Sequence, residues 1–248
     1  MKVQQFEYGA QHSTPWHKHS SGQLYWLREG IIVIETVLAQ WTVTPGSVGW
    51  FPPNLNHRAW VPGNVIGNSL YLDPVSSNHF PYHAGIYGAD HFIIALLERC
   101  NNSHIKHSEE YQNLILNLLG YEIRQCSELP LELKLPTDRR ARNVASELLK
   151  NPGCILNQSQ LAQKWGLSVR NLSRLFNQQT GLSFSQWRQQ AKVVASLQWI
   201  LLGLPVNEVA SLSGYSNVSA YIEVFRQRFG KTPRQFKIVR TNINETVI

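Results

Sequence analysis

At 248 residues the chain is long enough for two modest domains, and its 43% hydrophobic content is that of an ordinary globular protein. No run approaches the ~18 apolar residues of a membrane span, the first residues lack the basic-then-apolar pattern of a leader, and three scattered cysteines (Cys100, Cys126, Cys154) suit reduced, buried thiols, so a cytoplasmic protein with no membrane partner is expected. The formal charge of +7 is uneven: residues 1–136 hold 8 Lys+Arg against 11 Asp+Glu and residues 137–248 hold 15 against 5, which directs the C-terminal part at a polyanion.

From Ser20 to Asp73 the pattern predicts short strands broken by turn residues. Gln23–Leu27 and Ile31–Thr36 are β-rich on either side of Arg28-Glu29-Gly30. Trp41–Val43 runs into Pro45-Gly46, and Val48–Phe51, His57–Val61 and Ile66–Leu72 follow. Such a series implies a sandwich or small barrel. All nine histidines lie in this acidic part, and His17 and His19, two apart on an extended segment, can converge on one point. His57 from a neighbouring strand completes a facial set for one divalent metal, Zn, Fe, Ni or Mn. The other reading of the same residues is a metal-free polar pocket for an organic ligand; both stay open. Trp16, Gln23 and Tyr25 are the candidate pocket residues, because aromatic groups beside the histidines suit a small-molecule effector. His12, His79, His83, His91, His104 and His107 show no comparable spacing and are expected on the surface or in loops.

The period then becomes helical. Asp90–Cys100 and Glu109–Gln125 are predicted helices, expected to form a homodimer contact or a relay. Leu129–Pro136, bracketed by prolines, reads as a linker (129–136) between a sensor and dimerisation domain (1–128) and a helical domain (137–240), with 241–248 as a tail. Within the helical part a pattern occurs twice. Leu161-Ala162, Gly166-Leu167-Ser168, Leu172, Phe176 and Gly181 match Val209-Ala210, Gly214-Tyr215-Ser216, Tyr221, Phe225 and Gly230. The small alanine permits a close helix crossing, the glycine a left-handed end to the first helix, and the serine a cap for the second. The offset is 48 before the second helix and 49 within and after it, so one extra residue sits in the second turn or at the start of its helix.

The stretches LAQKWGLSVRNLSRLFNQQTGLSFSQWRQQAKVVAS (161–196) and VNEVASLSGYSNVSAYIEVFRQRFGKTPRQF (206–236) resemble the AraC/XylS DNA-binding domain. The resemblance implies seven helices, two helix-turn-helix units joined by a long helix, and double-stranded DNA as partner, with the recognition helices in successive major grooves. Helical phase leaves Arg170, Ser173, Arg174 and Asn177 free in the first unit and Val218, Ser219, Ile222 and Glu223 in the second. Arg170 or Arg174 suits guanine, Asn177 a phosphate, and Val218 or Ile222 a thymine methyl. Glu223 suits a cytosine amine or, equally, a structural ion pair. Arg226, Arg228 and Lys231 (with Arg234) are phosphate candidates. Arg188 and Lys192 read as a solvated face of the connecting helix.

The N-terminal part resembles the cupin fold. The motif HxHx3Ex6G matches at His17, His19 and Gly30, with Gln23 where the family has glutamate. Pro52 and His57 match the second motif, with Asn54 at its glycine. Gln23 makes the set one charge more positive and replaces a carboxylate by a poorer ligand for a hard cation. The expected fold is therefore an all-β cupin jelly-roll plus helices, followed by an all-α domain with two helix-turn-helix units. The expected function is a sequence-specific transcription regulator, not an enzyme, responding to a small molecule or metal. The alternatives are a cupin metalloenzyme and a DNA-binding protein whose barrel only dimerises.

Overall fold

The computed structural model describes residues 1–101 and 108–237. The expected tail 241–248, the domain end beyond 237, and His104 and His107 lie outside the described residues. Among the described residues the chain divides into two compact units, one of Met1–Thr36 with Trp41–Glu132, the other of Val37–Gln40 with residues 133–237.

The first unit is strand-rich. Its elements run β1 (Lys2–Tyr8), β2 (Gly22–Glu29), β3 (Ile32–Glu35), β4 (Ala39–Val43), β5 (Ser47–Phe51), β6 (Arg58–Trp60), β7 (Val65–Leu72), α1 (Pro74–Ser77), β8 (Gly85–Gly88), α2 (His91–Asn101) and α3 (Glu109–Gln125). Strands order as β1-β7-β2-β5-β8 in one sheet and β6-β3-β4-β9 in another, β9 being Glu132–Lys134. Strand alternation sorts the side chains. Leu24 and Trp26 of β2, Val48 and Trp50 of β5, and Leu70 and Leu72 of β7 pack outward on Ile93 and Leu97 of α2 and Leu116, Leu119 and Ile123 of α3. The intervening residues turn the other way, where Tyr25 and Phe51 meet edge to face at 5.9 Å and Phe51 meets Trp41 of β4 at 5.9 Å. Both faces of the five-stranded sheet are thus covered, which is why β2 and β5 are almost wholly buried.

Three strands escaped the sequence reading. β1 pairs with β7 through Phe6↔Gly67 and neighbours, yet its alternation carries polar residues on the open side; β8 is only four residues long and holds two glycines. The third, β9, lies within the expected extended linker 129–136, where the division between the two units also falls, between Glu132 and Leu133; Leu131, Leu133 and Leu135 of that segment are buried.

The second unit is helical: α4 (Arg139–Lys150), α5 (Gln158–Lys164), α6 (Val169–Thr180), α7 (Phe184–Leu201), α8 (Val206–Leu212) and α9 (Val218–Phe229), with a seventh helical stretch at 233–237. Helix starts are well signalled. Asn157 with Gln160 and Ser183 with Gln186 form complete capping boxes, and Asp138 caps α4. The repeat is realised in three dimensions. Gly166 (φ +66°) and Gly214 (φ +72°) end α5 and α8, and Gly181 (φ +76°) and Gly230 (φ +70°) end α6 and α9. One expectation needs correction: Ser168 caps α6, but α9 is capped by Asn217 and not Ser216. The cap-to-cap offset is already 49, so the extra residue lies in the turn. Nothing stands within 4 Å of a Cβ added at Gly181, so Gly181→Ala is expected to cost only the left-handed backbone term, about 1 kcal/mol in a denaturant melt.

Candidate DNA interface and histidine cluster

In the first helix pair, Leu172, Leu175 and Phe176 of α6 are buried among Leu161, Ala162, Phe184 and Trp187. That burial fixes the rotation of α6 and leaves its other face outward. Arg170, Arg174 and Asn177 are exposed there, and Ser173 is half-buried. Ser173 accepts a 2.7 Å hydrogen bond from Gln158 of α5, which ties the two helices together instead of leaving the hydroxyl free. Arg174 is braced on both sides: it donates to Gln178 at 2.8 Å and to Asn171 at 2.7 Å. A guanidinium held this way on an exposed face has already given up much of the side-chain freedom that binding otherwise removes. Asn171 and Gln178 were not singled out from sequence; their positions three before and four after Arg174 were the available signal.

In the second pair, Tyr221 and Phe225 of α9 are buried, and the Tyr221 hydroxyl bonds Ser196 of α7 at 2.9 Å. Val218, Ser219 and Glu223 are exposed and Ile222 half-buried. Glu223 receives Arg226 at 3.1 Å and the Gln227 amide at 3.1 Å, so of its two sequence readings the structure displays the ion pair. Arg226 and Lys231 are exposed. Arg228 is not on that surface; it is half-buried and donates to Gln190 of α7 at 3.0 Å, which corrects its reading as a phosphate contact.

The connecting helix also departs from expectation. Arg188 donates to the carbonyls of Leu156 and Cys154, and Lys192 donates to the Gly214 carbonyl at 2.8 Å while lying 5.0 Å over the Tyr215 ring. Burial, with Arg188 close by, lowers the Lys192 pKa. Both are anchors that fix the turns of the two helix pairs to α7, and neither is a solvated side chain.

In the strand-rich unit the three histidines converge. Their ligand atoms all lie within 4.8 Å of one another, and the His17 and His57 rings are 4.5 Å apart. His17 is not on a regular strand, as the spacing had implied. It forms an isolated bridge with His57, each backbone N–H donating to the other's carbonyl at 2.9 Å. Every ring uses Nδ1 locally: His17 on the Pro15 carbonyl at 2.9 Å, His19 on Ser21 at 2.7 Å and His57 on Leu55 at 2.8 Å. In the neutral imidazole this places the proton on Nδ1 of each ring and leaves Nε2 as the acceptor. That of His57 is buried and has no partner among the described residues. Three donors bonded to one ion at ~2.1 Å lie roughly 3.0–3.6 Å apart, so a set spread over 4.8 Å must close by more than ~1 Å at its widest to hold one. The donor set fits one divalent cation.

Gln23 lies at the same point, with Oε1 3.1 Å from His19 Nε2. An unprotonated Nε2 and an amide oxygen are both acceptors, so this contact requires either the amide nitrogen turned to the ring or a cation shared between them. Tyr25 is buried and bonded to Gln23, and burial, with Tyr71 and Tyr8 nearby, raises its phenol pKa. Tyr71, 5.6 Å from the His19 ring, belongs to this cluster and was missed, because nothing in a β7 sequence marks which residue ends beside β2. Trp16 is 42% exposed with Arg58 stacked 5.2 Å over it, so it does not line the interior.

Burial lowers the His57 pKa, opposed by its bond to Leu55 and helped by His17 and His19. A depressed folded-state value means the unfolded chain takes up the proton first, so this contribution to stability is present above the ordinary value of 6.5 and is lost as pH falls below it. Melts of metal-free protein on either side of that value should show a lower midpoint on the acid side; a midpoint that rises on acidification would contradict the assignment.

A family model described as a helix-turn-helix domain matches residues 161–237. The chain is similar to HTH-type transcriptional regulator NimR of Escherichia coli K12, 28% identical over 224 residues, covering 90% of this chain and 82% of that protein. It is also similar to HTH-type transcriptional regulator RipA of Corynebacterium glutamicum, 35% identical over 102 residues, 41% of this chain and 31% of the relative's length. Among solved structures, ToxT from Vibrio cholerae aligns over 96% of this chain and 97% of its own at 12% identity with a TM-score of 0.42.

Proposed function

We propose, since this chain belongs to the AraC/XylS family of DNA-binding transcription regulators, that α5–α6 and α8–α9 act as paired helix-turn-helix units reading neighbouring segments of one duplex. The observation that carries the reading is the repeated helix pair itself, placed in the part of the chain with a net charge of +10. α6 and α9 present their outward faces to successive major grooves, about 34 Å apart along the duplex. Arg170 and Arg174 read guanine edges; Val218 and Ile222 meet thymine methyls; Asn177, Arg226 and Lys231 hold phosphates. The reading places the protein in the cytoplasm; among the described residues no helix is long and apolar enough to cross a membrane.

Binding should weaken steeply with salt. Lys231→Ala is expected to reduce the slope of log affinity against log salt by about 1, with little change in sequence preference. Fluorescence anisotropy on one specific and one scrambled duplex checks this. A slope unchanged by the substitution would remove Lys231 from the phosphate set.

The two sheets of the first unit are read as a cupin-type jelly-roll that senses an effector. What supports a metal in it is the buried, unpartnered Nε2 of His57 facing His17 and His19. When bound, a divalent ion supplies an electrophilic coordination position for an oxygen- or nitrogen-donor effector. The chain's own residues do the rest. Three backbone carbonyls orient the imidazoles, Gln23 offers a neutral oxygen and is bonded to Tyr25, and the Tyr71 ring walls the cluster beside His19. Effector binding then shifts the population of DNA-competent molecules, so sensing and not turnover is the role. Elemental analysis of the purified protein, before and after reconstitution, tests it: about one metal per chain supports the centre, and none after reconstitution overturns it.

A further inference from the structure

The two helix pairs meet at a second place besides the helix that joins them. The segment 151–156, which leads into α5, lies against the turn between α8 and α9. A Cβ built on Gly153 would stand 3.0 Å from the Leu212 carbonyl oxygen, and one built on Gly214 would stand 3.0 Å from the Gly153 Cα. Backbone therefore packs on backbone, at a distance that crowds any side chain. Gly214 is also held at φ +72°, which by itself favours glycine, but Gly153 is not among the glycines of positive φ. Close approach is the requirement that a glycine at 153 meets.

Two cations of α7 hold the two sides of this contact. Arg188 and Lys192 are four apart and so share one face of the helix. Arg188 donates to the Cys154 and Leu156 carbonyls, the latter at 2.7 Å, and Lys192 donates to the Gly214 carbonyl at 2.8 Å. A connecting helix of 18 residues on its own leaves bending and twisting between the pairs, and a second attachment beside its axis restrains both. DNA makes that restraint matter. One base pair of added spacing turns the second groove by about 34–36° and moves it by about 3.4 Å. We propose, resting on the paired reading above, that the Gly153–Gly214 contact, held by Arg188 and Lys192, is a positioning device that fixes the two recognition helices relative to each other and so selects the spacing of DNA blocks that the chain accepts. None of these four residues touches a base in this scheme; they act through α6 and α9.

Fluorescence anisotropy on duplexes carrying the blocks selected by the parent protein, set about 9 to 12 base pairs apart centre to centre, tests the device in the full chain. The parent is expected to bind about tenfold or more weakly one base pair away from its best spacing, the worth of one base contact. Gly153→Val wedges the two backbones apart, and Lys192→Met keeps the stem while removing the donor. Each should lose most of that spacing ratio yet bind a single-block duplex as the parent does. Gly153→Ala, with one methyl, should lose part of it, and Lys192→Arg, which still offers a donor to Gly214, should keep it. Single-block and two-block affinity falling together in the variants would reduce these residues to general supports of the fold and overturn the proposal. So would a spacing ratio retained in full by either Gly153→Val or Lys192→Met. A parent that binds the blocks alike at every spacing would defeat the paired reading itself, so the two failures are told apart by which protein shows them.

Discussion

Replacing Arg174 by alanine is expected to weaken binding to the specific duplex by about 1–3 kcal/mol while leaving non-specific binding nearly unchanged. Leu172 and Phe176 lock the rotation of α6, so the residue midway between them in sequence faces outward. Asn171 and Gln178 then hold the guanidinium from two sides, which fixes the direction of the remaining N–H groups. Arg174→Lys should recover charge and non-specific affinity but not base preference, because an ammonium has no planar fork. Asn171→Ala should cost less than Arg174→Ala, since it removes one brace and leaves the contact. Competition binding against single-base variants of the site measures all three. An Arg174→Ala protein that loses specific and non-specific binding in equal proportion would make this residue a phosphate contact.

The second large effect concerns the histidines. Removing His57 is expected to abolish stoichiometric metal binding, a larger loss than the roughly 10–100-fold that changes around a metal's ligands produce. His57 is the most buried of the three residues, and its backbone is bonded to that of His17 in both directions. His17→Ala, at a half-buried position, checks that the loss is not a folding defect. In the parent protein, saturating metal should raise the melting midpoint by mass action, and the rise should vanish in both variants. Gln23→Glu should tighten the binding of a hard cation by restoring a charged oxygen beside His19. If Gln23→Glu binds no better than the parent, Gln23 turns its amide nitrogen to His19 and takes no part in coordination.

Local chemistry made much of this architecture readable. The α5–α6 and α8–α9 pairs were visible because glycine at a left-handed helix end, a cap and an apolar pair four apart are all short-range requirements. The His17–His19 convergence was readable for a similar reason, although it arises from a bridge to His57 and not from a regular strand. What stayed hidden depends on partners distant in sequence. β9 is a strand because Leu131, Leu133 and Leu135 find burial, which its prolines alone do not reveal. Arg188, Lys192 and Arg228 were read as outward cations, yet each reaches a carbonyl or amide on another element. A long basic side chain carries no sequence mark of whether it ends in solvent or on a helix end.

Selection of binding sites from a random duplex library tests the central claim, that two helix pairs of one chain read one stretch of DNA. The account predicts enrichment of two conserved blocks centred about 10 base pairs apart, with Arg174→Ala erasing preference in one block only. A single enriched block, or two blocks whose spacing varies freely among selected sequences, would contradict it.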